Sequence, residues 1–264
     1  MCCGARRVLE EMDFTLVAMT LPDLRNPDQL ALFLDFDGTL VAIANRPDDV
    51  RLDPETRDAL ADLNQRLGGA LAIITGREIT AVDHFLEPLR LSVAGVHGLM
   101  RRDAQGRTYA SPVDSGLPAA IERAVFPFLA KHPGLRVERK YGALALHYRE
   151  HPELEQASIE ALESAVGEIQ RTEIKRGKMV VEVKAIGGDK GAAVADFLKE
   201  KPFVGRRPVF AGDDVTDEDA FVLVNARDGI SIKVGPGTTH ATFRTAGTAE
   251  FLEWLRRLPA QLAG

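Results

Sequence analysis

The chain has 264 residues, of which 45% are hydrophobic and 27% are charged, a composition typical of a folded globular protein. Its formal net charge of −6 argues against a general binder of nucleic acid or of anionic membranes, because such proteins carry a basic excess. No apolar run approaches the roughly 20 residues that a membrane-spanning helix needs. The length fits one large domain or two smaller ones.

Both cysteines, Cys2 and Cys3, are adjacent at the start of the chain. This placement predicts neither a disulfide framework nor a cysteine metal site, and it favours a reducing, cytoplasmic location. Residues 1–27 have charges early and no sustained apolar region before a small-residue cleavage site. We therefore interpret them as an N-terminal tail and not as a signal peptide.

The first predicted elements alternate between strand and helix. Asp53 is a suitable N-cap, Pro54 suits the first helical position, and Gly68 follows the predicted helix end. The predictions are a buried strand over 31–36, a helix over 53–68, an apolar strand within 69–77 and a third strand within 91–98. This alternation at this spacing indicates βαβ units and a parallel sheet.

The pattern changes after residue 100, where a segment rich in Arg, Gly, Ser and Pro begins. The predictions that follow are a helix over 118–132, a strand pair within 135–149, a helix over 153–169 and a strand over 177–184. Leu144, Leu146 and Tyr148 alternate with other residues, which predicts a sheet with one solvent-exposed face. We interpret this region as a small α+β insert.

The first pattern then returns. The last predictions are a glycine-rich turn opening a helix within 187–200, a strand over 208–214, a helix over 216–225, a strand over 229–234 and a helix over 248–258. The chain is therefore predicted to have an α/β fold with a doubly wound, mostly parallel, Rossmann-like sheet. The sheet would be formed by residues 28–107 and 186–264, with the α+β insert over 108–185.

Polar residues follow four of the apolar strands: Asp35 and Asp37, Thr75, His97, and Asp213 and Asp214. In a doubly wound sheet the carboxyl ends of parallel strands meet at one edge, where ligands bind. Crowded carboxylates repel each other unless a cation neutralises them. Carboxylates are the hard ligands that Mg²⁺ prefers, and the chain lacks the His or Cys spacing typical of zinc.

This cluster suits phosphoryl chemistry. A carboxylate such as Asp35 can attack phosphorus, and Asp37 can protonate the leaving oxygen and then deprotonate water. Lys190 would neutralise charge as a phosphate approaches. Donors to the phosphoryl oxygens would be the Thr75 hydroxyl and backbone N–H groups near Gly38 and Gly76.

Each residue also has a purely structural interpretation. An Asp-x-Asp-Gly stretch is often a turn, and acidic residues favour the first turn of a helix. Lys190 alone would be a solvated lysine, and His97 fits a structural role as well as a functional one. The joint placement of these residues after apolar strands favours an active site.

Four short motifs resemble, in order, those of haloacid-dehalogenase-like phosphatases: DFDGT at 35–39, TGR at 75–77, Lys190, and GDDVTDE at 212–218. The resemblance covers about residues 30–258. A narrower one, to trehalose-6-phosphate phosphatases, lies in GVHG at 95–98, VERKYGALALHYR at 137–149 and GKMVVEVK at 177–184, with GDKG and GDDVTDEDAF following.

The narrower resemblance implies an Mg²⁺-dependent hydrolase that converts trehalose 6-phosphate to trehalose through an aspartyl-phosphate, the last step of trehalose biosynthesis. It implies that residues 108–185 form an α/β cap that closes over the core, and we expect hinges near 101–117 and 184–189. It also implies a sugar-phosphate ligand and a functional link to a trehalose-6-phosphate synthase.

Site residues follow from the same resemblance. Mg²⁺ would be held by Asp35, the Asp37 carbonyl and Asp213, with Asp214 counted among the ligands and Asp217 in the same loop. Substrate contacts would come from Gly38, Gly76, Arg77, His97, Glu138, Lys140, His147 and Glu182. Of these, Glu138, Lys140 and Glu182 would contact the sugar. Arg149 lies in the same matched motif as His147. On pattern alone, Glu138, Lys140, His147 and Glu182 would instead lie on an exposed strand face. Met100 departs from the family, whose members often carry an acid there.

Three alternatives stay open at this point. The substrate could be another sugar phosphate, of the sucrose or glucosylglycerate type, since the fold does not decide it. A phosphorylated receiver domain has similar residue types, but its acidic pair precedes the phosphorylated aspartate, whereas Asp213 and Asp214 come last here. A third alternative is a sugar-phosphate sensor without turnover.

Overall fold

The computed structural model describes residues 21–44, 50–167, 169 and 171–262. Residues 1–20 of the predicted tail, including Cys2 and Cys3, lie outside the described residues. Residues 21–27 belong to the packed body, because Leu24 is buried in the main core and the Trp254 indole donates to the Pro22 carbonyl at 3.2 Å. No helix in the described part of the chain combines the length and apolar character that a membrane crossing requires.

Twelve strands and seven α-helices form the described fold. The strands are β1 (Leu30–Leu34), β2 (Leu71–Ile74), β3 (Ser92–Gly95), β4 (Met100–Arg102), β5 (Thr108–Ala110), β6 (Arg136–Lys140), β7 (Ala143–His147), β8 (Thr172–Gly177), β9 (Val180–Ala185), β10 (Arg207–Gly212), β11 (Ile230–Val234) and β12 (Phe243–Thr245). The helices are α1 (Pro54–Arg66), α2 (Ile79–Leu86), α3 (Leu117–Leu129), α4 (Glu155–Val166), α5 (Lys190–Phe197), α6 (Glu218–Asn225) and α7 (Thr248–Gln261).

The larger sheet has eight strands in the order β12-β11-β10-β1-β2-β3-β4-β5. The six strands from β12 to β3 are parallel, and β4 and β5 continue the sheet antiparallel. Strands β1, β2 and β11 are buried along their whole length, because helices cover both faces of a doubly wound sheet. The predicted α/β fold with a mostly parallel sheet is confirmed.

Local signals placed the first helix correctly. Asp53 precedes α1, and its carboxylate accepts a hydrogen bond from the Glu55 N–H at 3.0 Å. Pro54 occupies the first helical position, where its missing N–H costs nothing. The helix ends at Arg66, two residues before the left-handed Gly68.

The smaller sheet is antiparallel, in the order β6-β7-β9-β8, and helices α3 and α4 pack on one of its faces. Leu144 and Leu146 point into that layer, as the alternation predicted. The prediction that the opposite face is exposed to solvent is wrong for the central strands: Ala145 and Lys184 are fully buried and Glu182 is 5% exposed. This face covers the carboxyl end of the larger sheet instead.

Three strands were missed from sequence. Strands β4 and β5 lie in the region where a hinge near 101–117 was predicted. Thr108–Ala110, which was predicted to open the insert, pairs instead within the larger sheet. The predicted strand over 177–184 is in fact a turn followed by β9, with Met179 in the left-handed region at φ 62°. Strand β8 precedes this turn and pairs with β9.

Candidate active site

One cavity lies where the smaller sheet covers the carboxyl ends of β1, β2 and β10. It is lined by every predicted site residue except Gly38: Asp35, Asp37, Thr75, Gly76, Arg77, His97, Glu138, Lys140, His147, Glu182, Lys190, Asp213 and Asp214. Parallel strands bring the polar residues at their ends together, as predicted. The cavity therefore has one wall from the larger sheet and one from the smaller sheet.

At the base of the cavity, Lys190 lies between two carboxylates. Its Nζ is 2.6 Å from Asp35 Oδ1 and 2.6 Å from Asp217 Oδ1, and all three side chains are buried. Burial opposes the charged ammonium, but Asp217 and Asp35 outweigh it and raise the pKa of Lys190. Burial raises the pKa of Asp35, against the opposing effect of Lys190. A protonated lysine thus holds a buried carboxylate at the end of β1.

Three buried carboxylates form a cluster that suits a cation. One oxygen each from Asp35, Asp213 and Asp217 lies within 4.8 Å of the others. Burial raises the pKa of Asp213 to about 6, with smaller contributions from the Asp217 and Asp214 carboxylates and against the opposing effect of Lys178. An all-oxygen donor set of this kind fits Mg²⁺.

Asp217 belongs to the carboxylate cluster, whereas the sequence analysis counted Asp214 among the metal ligands. The Asp214 carboxylate accepts from the Val215 N–H at 2.7 Å and caps a short helical turn. Asp217 reaches the cluster with one oxygen and accepts from the Asp214 N–H at 2.8 Å with the other. A 3-10 turn, Val215–Asp217, begins directly after Asp214. It brings Asp217, its third residue, back toward the end of β10.

Gly38 makes room for this cluster although it does not line the cavity. Its backbone has φ +86°, and a Cβ there would lie 2.1 Å from Asp213 Oδ2. Only glycine both adopts this conformation readily and leaves that space free. The Gly of the DFDGT motif is therefore explained by close approach of the Asp213 carboxylate.

Asp37 and Arg77 form a bidentate ion pair beside the cluster. Arg77 Nε lies 2.7 Å from Asp37 Oδ2, and Nη2 lies 2.7 Å from Oδ1. The guanidinium stands over the rings of Phe36 and Phe85, 5.6 and 5.0 Å from their centroids. Next to this pair, the Thr75 hydroxyl accepts a hydrogen bond from the Arg77 N–H at 3.1 Å.

The opposite wall carries charged side chains from β6, β7 and β9. Lys140 Nζ lies 2.6 Å from Glu182 Oε2, and His147 Nε2 lies 2.9 Å from Glu138 Oε2. Although burial opposes the Lys140 ammonium, Glu182 and Glu138 raise its pKa. Burial likewise opposes the Glu138 carboxylate, but His147 and Lys140 lower its pKa. The interpretation as an exposed strand face is wrong for Lys140 and Glu182, whose side chains are buried where this face closes the cavity, whereas the side chains of Glu138 and His147 remain partly exposed.

His97 connects the two walls. It follows β3 in a left-handed conformation, φ 52° and ψ 34°, and its ring lies directly over Gly76, where a Cβ would be 2.6 Å from Nε2. Burial and the positive charge of Lys190 lower its pKa, so the imidazole is neutral. The 3.6 Å contact from Nε2 to Glu182 Oε1 is therefore neither an ion pair nor a hydrogen bond. Within the described residues, His97 Nδ1 and Glu182 Oε1 are buried without a hydrogen-bond partner.

Lys178 is a site residue that sequence reasoning missed. It lies in the turn between β8 and β9, and its Nζ donates to Asp213 Oδ2. Arg149 supports this turn by donating from Nη2 to the Lys178 carbonyl at 3.0 Å. The motif GKMVVEVK contains Lys178, but its role could emerge only from a turn at that point, which requires β8.

Comparisons with known proteins find relatives over most of the chain. A family model described as trehalose-phosphatase matches residues 33–249. The chain is 38% identical over 247 residues to the trehalose-6-phosphate phosphatase of Escherichia coli (strain K12), covering 92% of this chain and 93% of that protein. It is 40% identical over 240 residues to a probable trehalose-phosphate phosphatase of Sinorhizobium fredii, covering 89% and 88%. The crystal structure of a trehalose-6-phosphate phosphatase related protein is 30% identical with a TM-score of 0.70, covering 88% of this chain and 97% of that one.

Proposed function

Because the chain belongs to the trehalose-phosphatase family, we propose that it hydrolyses trehalose 6-phosphate to trehalose and inorganic phosphate. The observation that carries the proposal is the pairing of two unlike walls around one cavity. One wall presents Asp35 against Lys190, which suits a phosphoryl group. The other presents the Lys140–Glu182 pair, which suits the hydroxyls of a sugar.

In the proposed reaction, a carboxylate oxygen of Asp35 attacks phosphorus and the bond from phosphorus to the sugar oxygen breaks. Asp37 protonates that oxygen, and trehalose leaves. Asp37 then takes a proton from water, which attacks the phosphoaspartate, releases phosphate and restores the Asp35 carboxylate. Lys190 neutralises the anion in both steps, and the Thr75 hydroxyl orients a phosphoryl oxygen.

We assign Mg²⁺ to Asp35, Asp213 and the Asp37 carbonyl, and we place Asp217 rather than Asp214 beside them. The support is the cluster of three buried carboxylates, whose mutual repulsion a divalent cation would relieve. When bound, the ion would neutralise charge on the phosphoryl oxygens and make phosphorus more electrophilic.

The proposal includes a moving cap. Residues 117–185 would form it, joined to the core through 111–116 and 186–189, because β4 and β5 pair within the larger sheet. Opening would admit the substrate, and closure would exclude water while Asp35 is phosphorylated. A cytoplasmic location and a synthase that supplies the substrate belong to the same proposal.

Phosphate release tests the function directly. We expect trehalose 6-phosphate to be hydrolysed in the presence of Mg²⁺ and not with chelator, at a higher rate than sucrose 6-phosphate or glucose 6-phosphate. Asp35→Asn should abolish turnover. Equal rates on all three esters would refute the sugar assignment of the Lys140–Glu182 wall, and no turnover of any ester would favour a sensor.

A further inference from the structure

Lys184 is a buried lysine that the mechanism above does not use. It lies on β9 two residues after Glu182 and is fully buried. Its Nζ is 2.7 Å from Glu173 Oε1, which comes from the facing position on β8, and it also donates to the carbonyl oxygen of Gly188. A buried ammonium is unfavourable unless it is paired, so these two contacts determine where the side chain lies.

The second of these contacts crosses from the smaller sheet to the segment that leads to α5. Two consecutive glycines, Gly187 and Gly188, form the middle of this segment, and Gly187 has φ +144° and open space around it. Glycines give a connector large conformational freedom unless contacts restrict it. The Lys184 ammonium supplies such a restriction by binding the Gly188 carbonyl.

Gly188 is also packed tightly against the larger sheet's wall. A Cβ at this position would lie 3.0 Å from the His97 carbonyl oxygen and 3.1 Å from the Leu99 nitrogen. Directly after it, Asp189 caps α5 by accepting from the Ala192 N–H at 2.6 Å, and Lys190 is the first residue of that helix. Only Asp189 therefore separates the residue whose carbonyl Lys184 binds from Lys190, whose ammonium faces Asp35.

We propose that Lys184 is a positioning residue: by binding the Gly188 carbonyl it fixes the glycine connector, and thereby the Lys190 ammonium, against Asp35. The proposal deepens and rests on the proposed function. It couples the sheet that bears the sugar-facing wall to the residue that neutralises the phosphoryl group. A displacement of about 1 Å in such a group can lower a rate about 100-fold.

Lys184→Met removes the ammonium while keeping the side-chain volume. Glu173 is about one-third exposed, so water can solvate its carboxylate in this variant. We expect kcat to fall about 10- to 100-fold on both trehalose 6-phosphate and p-nitrophenyl phosphate, with KM for the sugar ester changed less than about 3-fold. The affinity for orthovanadate, a phosphate mimic, should fall by a similar factor in the presence of Mg²⁺.

Three further variants make the test specific. Lys184→Arg keeps a positive charge and N–H donors at this position, and we expect its kcat and vanadate affinity to lie within about 3-fold of wild type. Gly188→Ala displaces the connector and leaves the Lys184 side chain unchanged, so kcat and vanadate affinity should fall as they do in Lys184→Met. This variant provides the test if Lys184→Met does not fold. Lys131→Met, at an exposed lysine of the same region, should behave as wild type.

Several outcomes overturn the proposal. One is a folded Lys184→Met or a Gly188→Ala variant that keeps the kcat and the vanadate affinity of wild type. Another is a variant in which only the KM for trehalose 6-phosphate rises, which would make Lys184 part of the sugar-facing wall. If wild type cleaves p-nitrophenyl phosphate but not trehalose 6-phosphate, the proposed function fails while the small ester still tests Lys184. If wild type cleaves neither ester, the vanadate affinity of Lys184→Met relative to wild type still tests the role of Lys184, and equal affinities would overturn it.

Discussion

The Lys190 ammonium lies 2.6 Å from a carboxylate oxygen of Asp35, although 155 residues separate them along the chain. The whole smaller sheet is inserted between the two. The contact therefore forms only when the chain returns to the larger sheet after the insert and α5 begins beside β1. It joins the first and second parts of that sheet at the point where the proposed nucleophile lies.

Lys190→Met should destabilise the metal-free protein by about 3–5 kcal/mol, because it leaves Asp35 and Asp217 buried and unpaired. Mg²⁺ should recover part of this loss, since a cation can replace the missing charge. Urea unfolding with chelator and with Mg²⁺ measures both effects. Lys199→Met is the control, because Lys199 is mostly exposed and pairs only at the surface with Asp196. Equal free energies of unfolding for the two variants would contradict the prediction.

Glu182→Gln should lower kcat/KM for trehalose 6-phosphate about 100-fold and change that for p-nitrophenyl phosphate less than about 3-fold. The variant breaks the 2.6 Å pair with Lys140 on the sugar-facing wall and leaves the phosphoryl end intact. Because the two residues share one interaction, Lys140→Met should add little to Glu182→Gln. Glu163→Gln, on an exposed helix position paired with Arg176, is the control. A loss on both esters would exclude a sugar-specific role.

The central strands were predictable because burial on both faces leaves a distinct apolar run. β1 and β2 read as such runs, and the polar residue that follows each one marks the end of the strand. Strand β8 reads TEIKRG and β4 reads MRR, without an apolar run or a clear alternation. Such strands are stabilised by their neighbours in the sheet, which a single sequence does not reveal.

The types of residue in the site were predictable from the sequence, but the directions in which some of their side chains point were not. Glu182 alternates with Val181 and Val183, and this pattern alone predicts a solvent-facing side chain. It is buried because another part of the chain covers that face, which is a tertiary effect. Likewise, only the turn after Asp214 decides that Asp217, and not Asp214, joins the carboxylate cluster.

His97 should lower the free energy of unfolding as the pH falls below about 6.5. Burial lowers its pKa in the folded state, so the unfolded chain, with an ordinary value near 6.5, binds the proton more readily. Stability from this residue is therefore complete above about pH 6.5 and is lost as the pH falls toward the folded pKa, at up to about 1.4 kcal/mol per pH unit. Urea unfolding of wild type and His97→Gln from pH 7.5 to 5.5 measures the difference.

Wild type and His97→Gln differ only at position 97, so the difference between their curves isolates His97. His84→Gln is the matched control, since His84 is exposed and should leave the slope of stability against pH as in wild type. Parallel curves for wild type and His97→Gln would show that the imidazole at this position takes up a proton without cost.

Gly38→Ala tests the close approach of Asp213 to the DFDGT turn. Gly235 has the same φ of +86° but open space around it, so Gly235→Ala meets only the backbone strain of about 1–2 kcal/mol. Gly38→Ala has the same strain and also places a Cβ 2.1 Å from Asp213 Oδ2. We expect it to lose more stability than Gly235→Ala in urea, and we expect Mg²⁺ to raise its melting temperature less than that of wild type, because the carboxylate must move. Equal losses and equal Mg²⁺ responses in the two variants would mean that the Asp213 side chain does not depend on the space beside Gly38.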